Sequence, residues 1–122
     1  MKTTTLQLLP TTTYGTPSGN YDGSSTDWNG TDQPAANYYG SFGGLQTIAY
    51  YLSGFQGLIK LQATLDAEPT ADSDWFDIDR YDSTGSPTTD NFSVNIAGNF
   101  VWVQARVENF SAGTITKLMM SY

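Results

Sequence analysis

The chain has 122 residues, enough for one domain that buries a core of its own. It carries 12 Asp and Glu against 5 Lys and Arg, a net charge of −7, which argues against a nucleic-acid partner because phosphates are met by a basic face. It holds neither Cys nor His, which excludes disulfide frameworks, thiolate and zinc sites, cysteine nucleophiles and every His-based catalytic arrangement.

The opening residues, MKTTTLQLLP, contain too short an apolar run for a signal peptide. No run anywhere approaches the roughly 20 residues that cross a bilayer, so no membrane partner is expected. Residues 4–9 alternate as a strand with Leu6 and Leu8 on one face, ended by Pro10, which cannot donate a ladder hydrogen bond.

Residues 14–44 break the pattern. They hold no aliphatic side chain larger than Ala, yet they carry Tyr14, Tyr21, Trp28, Tyr38, Tyr39 and Phe42 among Gly, Ser and Asn. A disordered segment is normally poor in aromatics, whereas a long functional loop that meets a partner is rich in them. The segment therefore reads as a long loop or clamp arm, with these six aromatics as candidate partner-binding residues.

Residues 45–52 follow, with Ile48, Tyr50 and Leu52 opposed to Leu45, Ala49 and Tyr51, which predicts a strand covered on both faces. A turn, SGFQG, leads to residues 58–65, where Ile59, Leu61, Ala63 and Leu65 point one way and Lys60, Gln62 and Thr64 the other. Beyond an acidic stretch, residues 75–81 form a strand with Phe76 and Ile78 inward and Asp77 and Asp79 outward. Phe92, Val94 and Ile96 make a short inward row.

In residues 101–107, Val101, Val103, Ala105 and Val107 oppose Phe100, Trp102, Gln104 and Arg106. Residues 114–122 return with Leu118, Met120 and Tyr122 in one row. The short stretch 109–113 between them predicts an antiparallel hairpin. Six or more short strands with turn signals between them predict a single all-β domain over residues 1–122, an antiparallel β-sandwich or small jelly roll with a long N-terminal aromatic-rich loop.

Chemistry has few candidates. Asp66, Glu68, Asp72, Asp74, Asp77, Asp79 and Asp82 crowd one segment with Arg80 as the lone cation. Asp72 and Asp74 have a spacing that suits calcium, but the glycine hinge and terminal Glu of an EF-hand are missing, so no metal is assigned. Nothing selects two of the seven as a glycosidase pair. The Asn-x-Ser/Thr triplets at Asn29, Asn91 and Asn109 fit coincidence in so Asn-, Ser- and Thr-rich a chain. Trp102, on an outward face, is either a binding residue or half of a covered interface. A carbohydrate-binding module would use Trp102, Trp28 and Tyr39 as its stacking platform.

Two stretches, GLIKLQATLDAEPTADSDWFDI and GNFVWVQARVENFSAGTITKLMMSY, carry a resemblance. Ala63, Thr64 and Leu65, then Asp74, Trp75 and Phe76, then Gly98 to Phe100, Trp102 to Val103 and Ala105 to Val107 match a pattern of strands and aromatics. In these residues the chain resembles small β-sandwich structural proteins of tailed bacteriophages, of the kind found in phages of cyanobacteria and marine bacteria. The resemblance covers residues 45–122 and implies a non-enzymatic virion component without a cofactor. A capsid decoration or cement protein is the first expectation, with a tail, neck or fibre-associated accessory as the alternative. Its partners would be the major capsid or other virion proteins, and it would act as a homo-oligomer, a trimer first.

Overall fold

The computed structural model describes residues 5–36 and 44–122. It is all-β: one open antiparallel sheet, with a single 3-10 turn at Asp72–Asp74 and no α-helix among the described residues. Eight strands run in chain order: β1 (Thr5–Leu9), β2 (Thr12–Thr13), β3 (Trp28–Asn29), β4 (Gln33–Pro34), β5 (Leu45–Thr64), β6 (Phe76–Asp82), β7 (Thr88–Ala97) and β8 (Trp102–Ser121).

Two strands of 20 residues, β5 and β8, pair along almost their whole length, from Thr47↔Ser121 to Thr64↔Trp102. Short strands line their outer edges. β7 and then β6 sit end to end along β5, while β1, β2, β3 and β4 sit end to end along β8. The segment 14–44, expected as a continuous loop, thus contains two short edge strands and a bridge between Ser18 and Tyr21.

The two turns predicted at 53–57 and 109–113 are not chain reversals. Residues 101–107 and 114–122 do not form a hairpin with each other; both pair with β5. The register explains why. Ser53 lies opposite Thr114 and Gln56 opposite Ala112, so the two glycine-bearing stretches are neighbours across one ladder, with register shifts on both sides. Gly54 and Gly113 both have positive φ (61° and 85°), as does Asn109 (54°), and a Cβ on Gly113 would collide with the Gly54 carbonyl. These residues make a crease that crosses both long strands.

The crease changes which parity faces inward. In β5 the buried row is Ile48, Tyr50 and Leu52 before it and Ile59, Leu61 and Ala63 after it; in β8 it is Val103, Ala105 and Val107 before and Leu118 and Met120 after. All belong to one buried cluster. Contacts across the fold show how far the strands bend. Gln7 pairs with Met119 and Gln33 with Val103, 16 residues away on β8, a span of about 53 Å in a straight strand. Yet Gln33 Nε2 donates to the Gln7 carbonyl at 2.9 Å, and Tyr122 Oη donates to the Pro34 carbonyl at 2.8 Å.

Residues 45–52 were expected to be covered on both faces. Only the Ile48–Tyr50–Leu52 side is buried; Leu45 is exposed and Ala49 and Tyr51 are half-buried on an open outer face.

Candidate functional site

The aromatics of the N-terminal third divide by location. Phe55 and Phe110 sit at the crease with ring centroids 5.7 Å apart. Phe110 also meets Trp28 at 5.2 Å, Tyr21 at 5.3 Å and Tyr14 at 5.5 Å. Tyr21 and Trp28 are themselves 4.5 Å apart. At the crease these rings pack on one another as a plug. Tyr21 is 1% and Trp28 8% exposed, so both rings are covered by their own chain and offer no platform to a sugar or partner. The Tyr21 hydroxyl accepts from Gly15 N at 3.0 Å. Tyr14 is 49% exposed at the edge of the plug. Tyr38, Tyr39 and Phe42 lie outside the described residues.

At the far end of the sheet the inner face is left uncovered among the described residues. Phe76 pairs with Ala63 and so shares its inward side, but it is 43% exposed; Leu65 is 65% exposed, and half-buried Phe100 packs edge-on against Phe76 at 5.8 Å. Trp102, half-buried, donates from Nε1 to the Ala67 carbonyl at 3.0 Å and so carries the acidic loop against the outside of the sheet. An apolar end of this kind, rimmed by charge, is the usual character of a contact surface.

The carboxylates of the acidic segment brace turns. Asp66 Oδ1 accepts from Glu68 N at 3.0 Å, and Asp74 Oδ2 accepts from Thr70 N at 2.9 Å and Ala71 N at 3.0 Å. The Ala71 and Thr70 amides hold Asp74 below the usual carboxylate range, as the Thr84 amide does for Asp82. In the N-terminal third, the amide of Ser25, helped by that of Ser24, lowers Asp22 to about 2. The Asp74 carboxylate, half of the calcium pair weighed above, thus already has two backbone donors; the side chain of Asp72 lies outside what the structure describes. Among the described residues, no three His, Cys, Asp or Glu side chains are grouped to hold a metal.

Asp79 departs from its expected outward direction. A bulge between Leu61 and Gln62 pairs Gln62 with Asp77 and Leu61 with Asp79, which turns Asp79 to the inner side. There it accepts from Tyr50 Oη at 2.8 Å. Burial, with the Asp79 charge second, pushes the Tyr50 hydroxyl well above its ordinary pKa, so Tyr50 stays a neutral donor. Tyr50 packs on Phe92 at 4.6 Å, and Tyr81 on Phe92 at 4.9 Å. This is a core hydrogen bond, sealed by rings.

The outer face of the half built from residues 58–64 and 102–108 is a charged network. Arg80, Lys60 and Arg106 stand directly across from one another in one row, three of the five cations of the chain, an arrangement that is repulsive by itself. Carboxylates offset it. Glu108 receives Arg106 at 2.8 Å and Lys60 at 3.3 Å, Asp77 lies 4.0 Å from Lys60, and Asp82 lies 3.8 Å from Arg80. The Arg106 hydrogen bond, with the Lys60 one after desolvation, lowers the Glu108 pKa from its ordinary 4.5. Arg106 also donates to Asn29 Oδ1 at 2.9 Å, and Gln104, Gln62 and Asp77 form a chain of bonds at 2.9 and 3.0 Å.

The outer face of the other half is nearly uncharged. Its rows, read across β7, β5, β8 and β1, are Asn95–Thr47–Ser121–Thr5, Ser93–Ala49–Met119–Gln7, and Asn91–Tyr51–Lys117. The Lys117 ammonium lies 4.8 Å from the Tyr51 ring centroid. Beside Tyr51 is a depression of about 220 Å³ lined by Ala49, Tyr51, Asn91, Phe92 and Ser93. Tyr51 was not singled out as a site residue in the sequence; its signal was an aromatic two residues from Ala49 in an alternating strand.

No family model matches the chain, and no curated protein or solved structure shows significant similarity to it.

Proposed function

We propose that the chain is a non-enzymatic structural protein of a bacteriophage particle, a capsid decoration or cement protein first, whose creased sheet closes on itself as a β-sandwich. The observation that carries this reading is the uncovered apolar end formed by Leu65, Phe76 and Phe100, set beside the exposed carboxylates Asp66, Glu68 and Asp77. It supports attachment to an apolar patch with a basic rim, with the rim charges setting approach and register. The phage-type pattern falls on the same elements: Leu65, Phe76 and Phe100 all lie within the matching stretches. Tail, neck and fibre positions are the runner-up sites, and a trimer is the expected oligomer.

The test is quantitative composition of purified particles encoded alongside the gene. A fixed copy number per capsomer supports decoration, a copy number matching the tail supports the accessory reading, and absence from the particle ends both. In reattachment to particles stripped of the protein, Leu65→Ser with Phe76→Ser should weaken binding by roughly tenfold or more, as central apolar anchors do. An unchanged affinity would move the contact elsewhere.

A further inference from the structure

The nearly uncharged outer face bears a depression whose chemistry differs from that of the rest of the surface. Its floor is the small side chain of Ala49, between β5 and β7, and its walls are Tyr51, Asn91 and Ser93, with Phe92 between the last two and its ring turned to the inner side against Tyr50. Lys117 reaches the Tyr51 ring from the β8 side, and Asn91 flanks Tyr51 on the β7 side. The ammonium stands over one face of the ring, and the ring also borders the depression.

The polar groups around it are unspent. Among the described residues, the Tyr51 hydroxyl, the Asn91 side-chain amide and the Ser93 hydroxyl have no hydrogen-bond partner, whereas one row further on Thr47 Oγ1 donates to Asn95 Oδ1 at 2.7 Å. No ionisable carboxylate, ammonium or guanidinium lines the depression, and the cation beside it, Lys117, is engaged on the Tyr51 ring. A flat π-surface with amide and hydroxyl groups at its edge matches a molecule with one C–H face and a rim of hydroxyls.

We propose that this depression is a binding site for a neutral pyranose sugar, stacked on Tyr51 and hydrogen-bonded by Asn91 and Ser93. The site uses none of the residues of the proposed virion contact, so either reading can fail without the other. A single stacked ring in a shallow site binds weakly, with a dissociation constant on the order of millimolar.

The experiment is an NMR titration of the ¹⁵N-labelled chain with glucose, galactose, N-acetylglucosamine and mannose, each to about 100 mM, followed by a trisaccharide of whichever sugar binds. Saturable shifts at Ala49, Tyr51, Asn91 and Ser93 are expected with at least one sugar. Tyr51→Phe should keep them, Tyr51→Ala should abolish them, and Asn91→Ala should weaken binding at least about fivefold. Should Tyr51→Ala unfold, Ala49→Leu, which fills the floor from the solvent side, must abolish them instead. A trisaccharide that binds at least about tenfold tighter identifies a glycan chain as the source, and equal affinity identifies a free sugar. Absence of saturable shifts with all four sugars, or shifts that survive Tyr51→Ala, overturns the proposal.

Discussion

The two outer faces of the sheet are made from the same two long strands, yet one is a lattice of charge and the other is almost bare of it. On the first, Lys60, Arg106 and Arg80 are held by Glu108, Asp77 and Asp82, and nearly every polar group has a partner. On the second, Tyr51, Asn91 and Ser93 leave theirs open. A satisfied network stabilises and stays put; an unsatisfied neutral surface is free to meet something else. The protein separates these two tasks by the crease between them.

The comparison breaks most severely at the crease itself. Gly113→Ala combines left-handed backbone strain with a collision against the Gly54 carbonyl, and should cost about 3 kcal/mol in urea unfolding, roughly 10 °C in Tm. Next comes the charged face: Glu108→Gln leaves Lys60 and Arg106, both largely covered, facing each other with a weaker acceptor, and should cost about 1.5 kcal/mol. Gly54→Ala separates strain from collision, because its added methyl meets open space; only the strain of its φ of 61° remains, about 1 kcal/mol.

Of the two outer faces, acid should act on the charged one. Glu108 is held below its ordinary 4.5, so its contribution is complete above that value and is lost as pH falls through the lowered folded value. The stability gap between the parent chain and Glu108→Gln should therefore be constant from pH 7 to about 5 and close below pH 4, read from urea midpoints. A gap that persists at pH 3 would show that packing, not charge, is the cause. The smallest effect is expected on the bare face, where Lys117→Ala removes one exposed cation over Tyr51 and should change stability by less than about 0.5 kcal/mol.

Faces were readable from the sequence wherever alternation was clean. Ile59, Leu61 and Ala63, and Val103, Ala105 and Val107, are buried as the period of two requires. Connectivity was not. SGFQG and NFSAG read as hairpin turns because a crease and a reversal use the same residues: both need glycine or asparagine at positive φ. Asp79 was misdirected by a one-residue bulge that leaves no mark on composition. Tyr21 and Trp28 lie among Gly and Ser, which reads as a wet loop; their role is legible only once Phe55 and Phe110 are known to stand side by side at the crease.

The edge strands β1 to β4 pair with β8 and with no other long strand. During synthesis they emerge first and must wait, unzipped, for their partner residues on β8, which follow about 70 residues later for β4 and about 110 for β1. Folding is thus governed by closure of the longest loops in the chain, which places it on the slow, millisecond-to-second side of single-domain rates. In the interval, Leu6, Leu8 and Leu9 have no sheet to join, and holding those few leucines apart from other nascent chains is the chief hazard of making this protein.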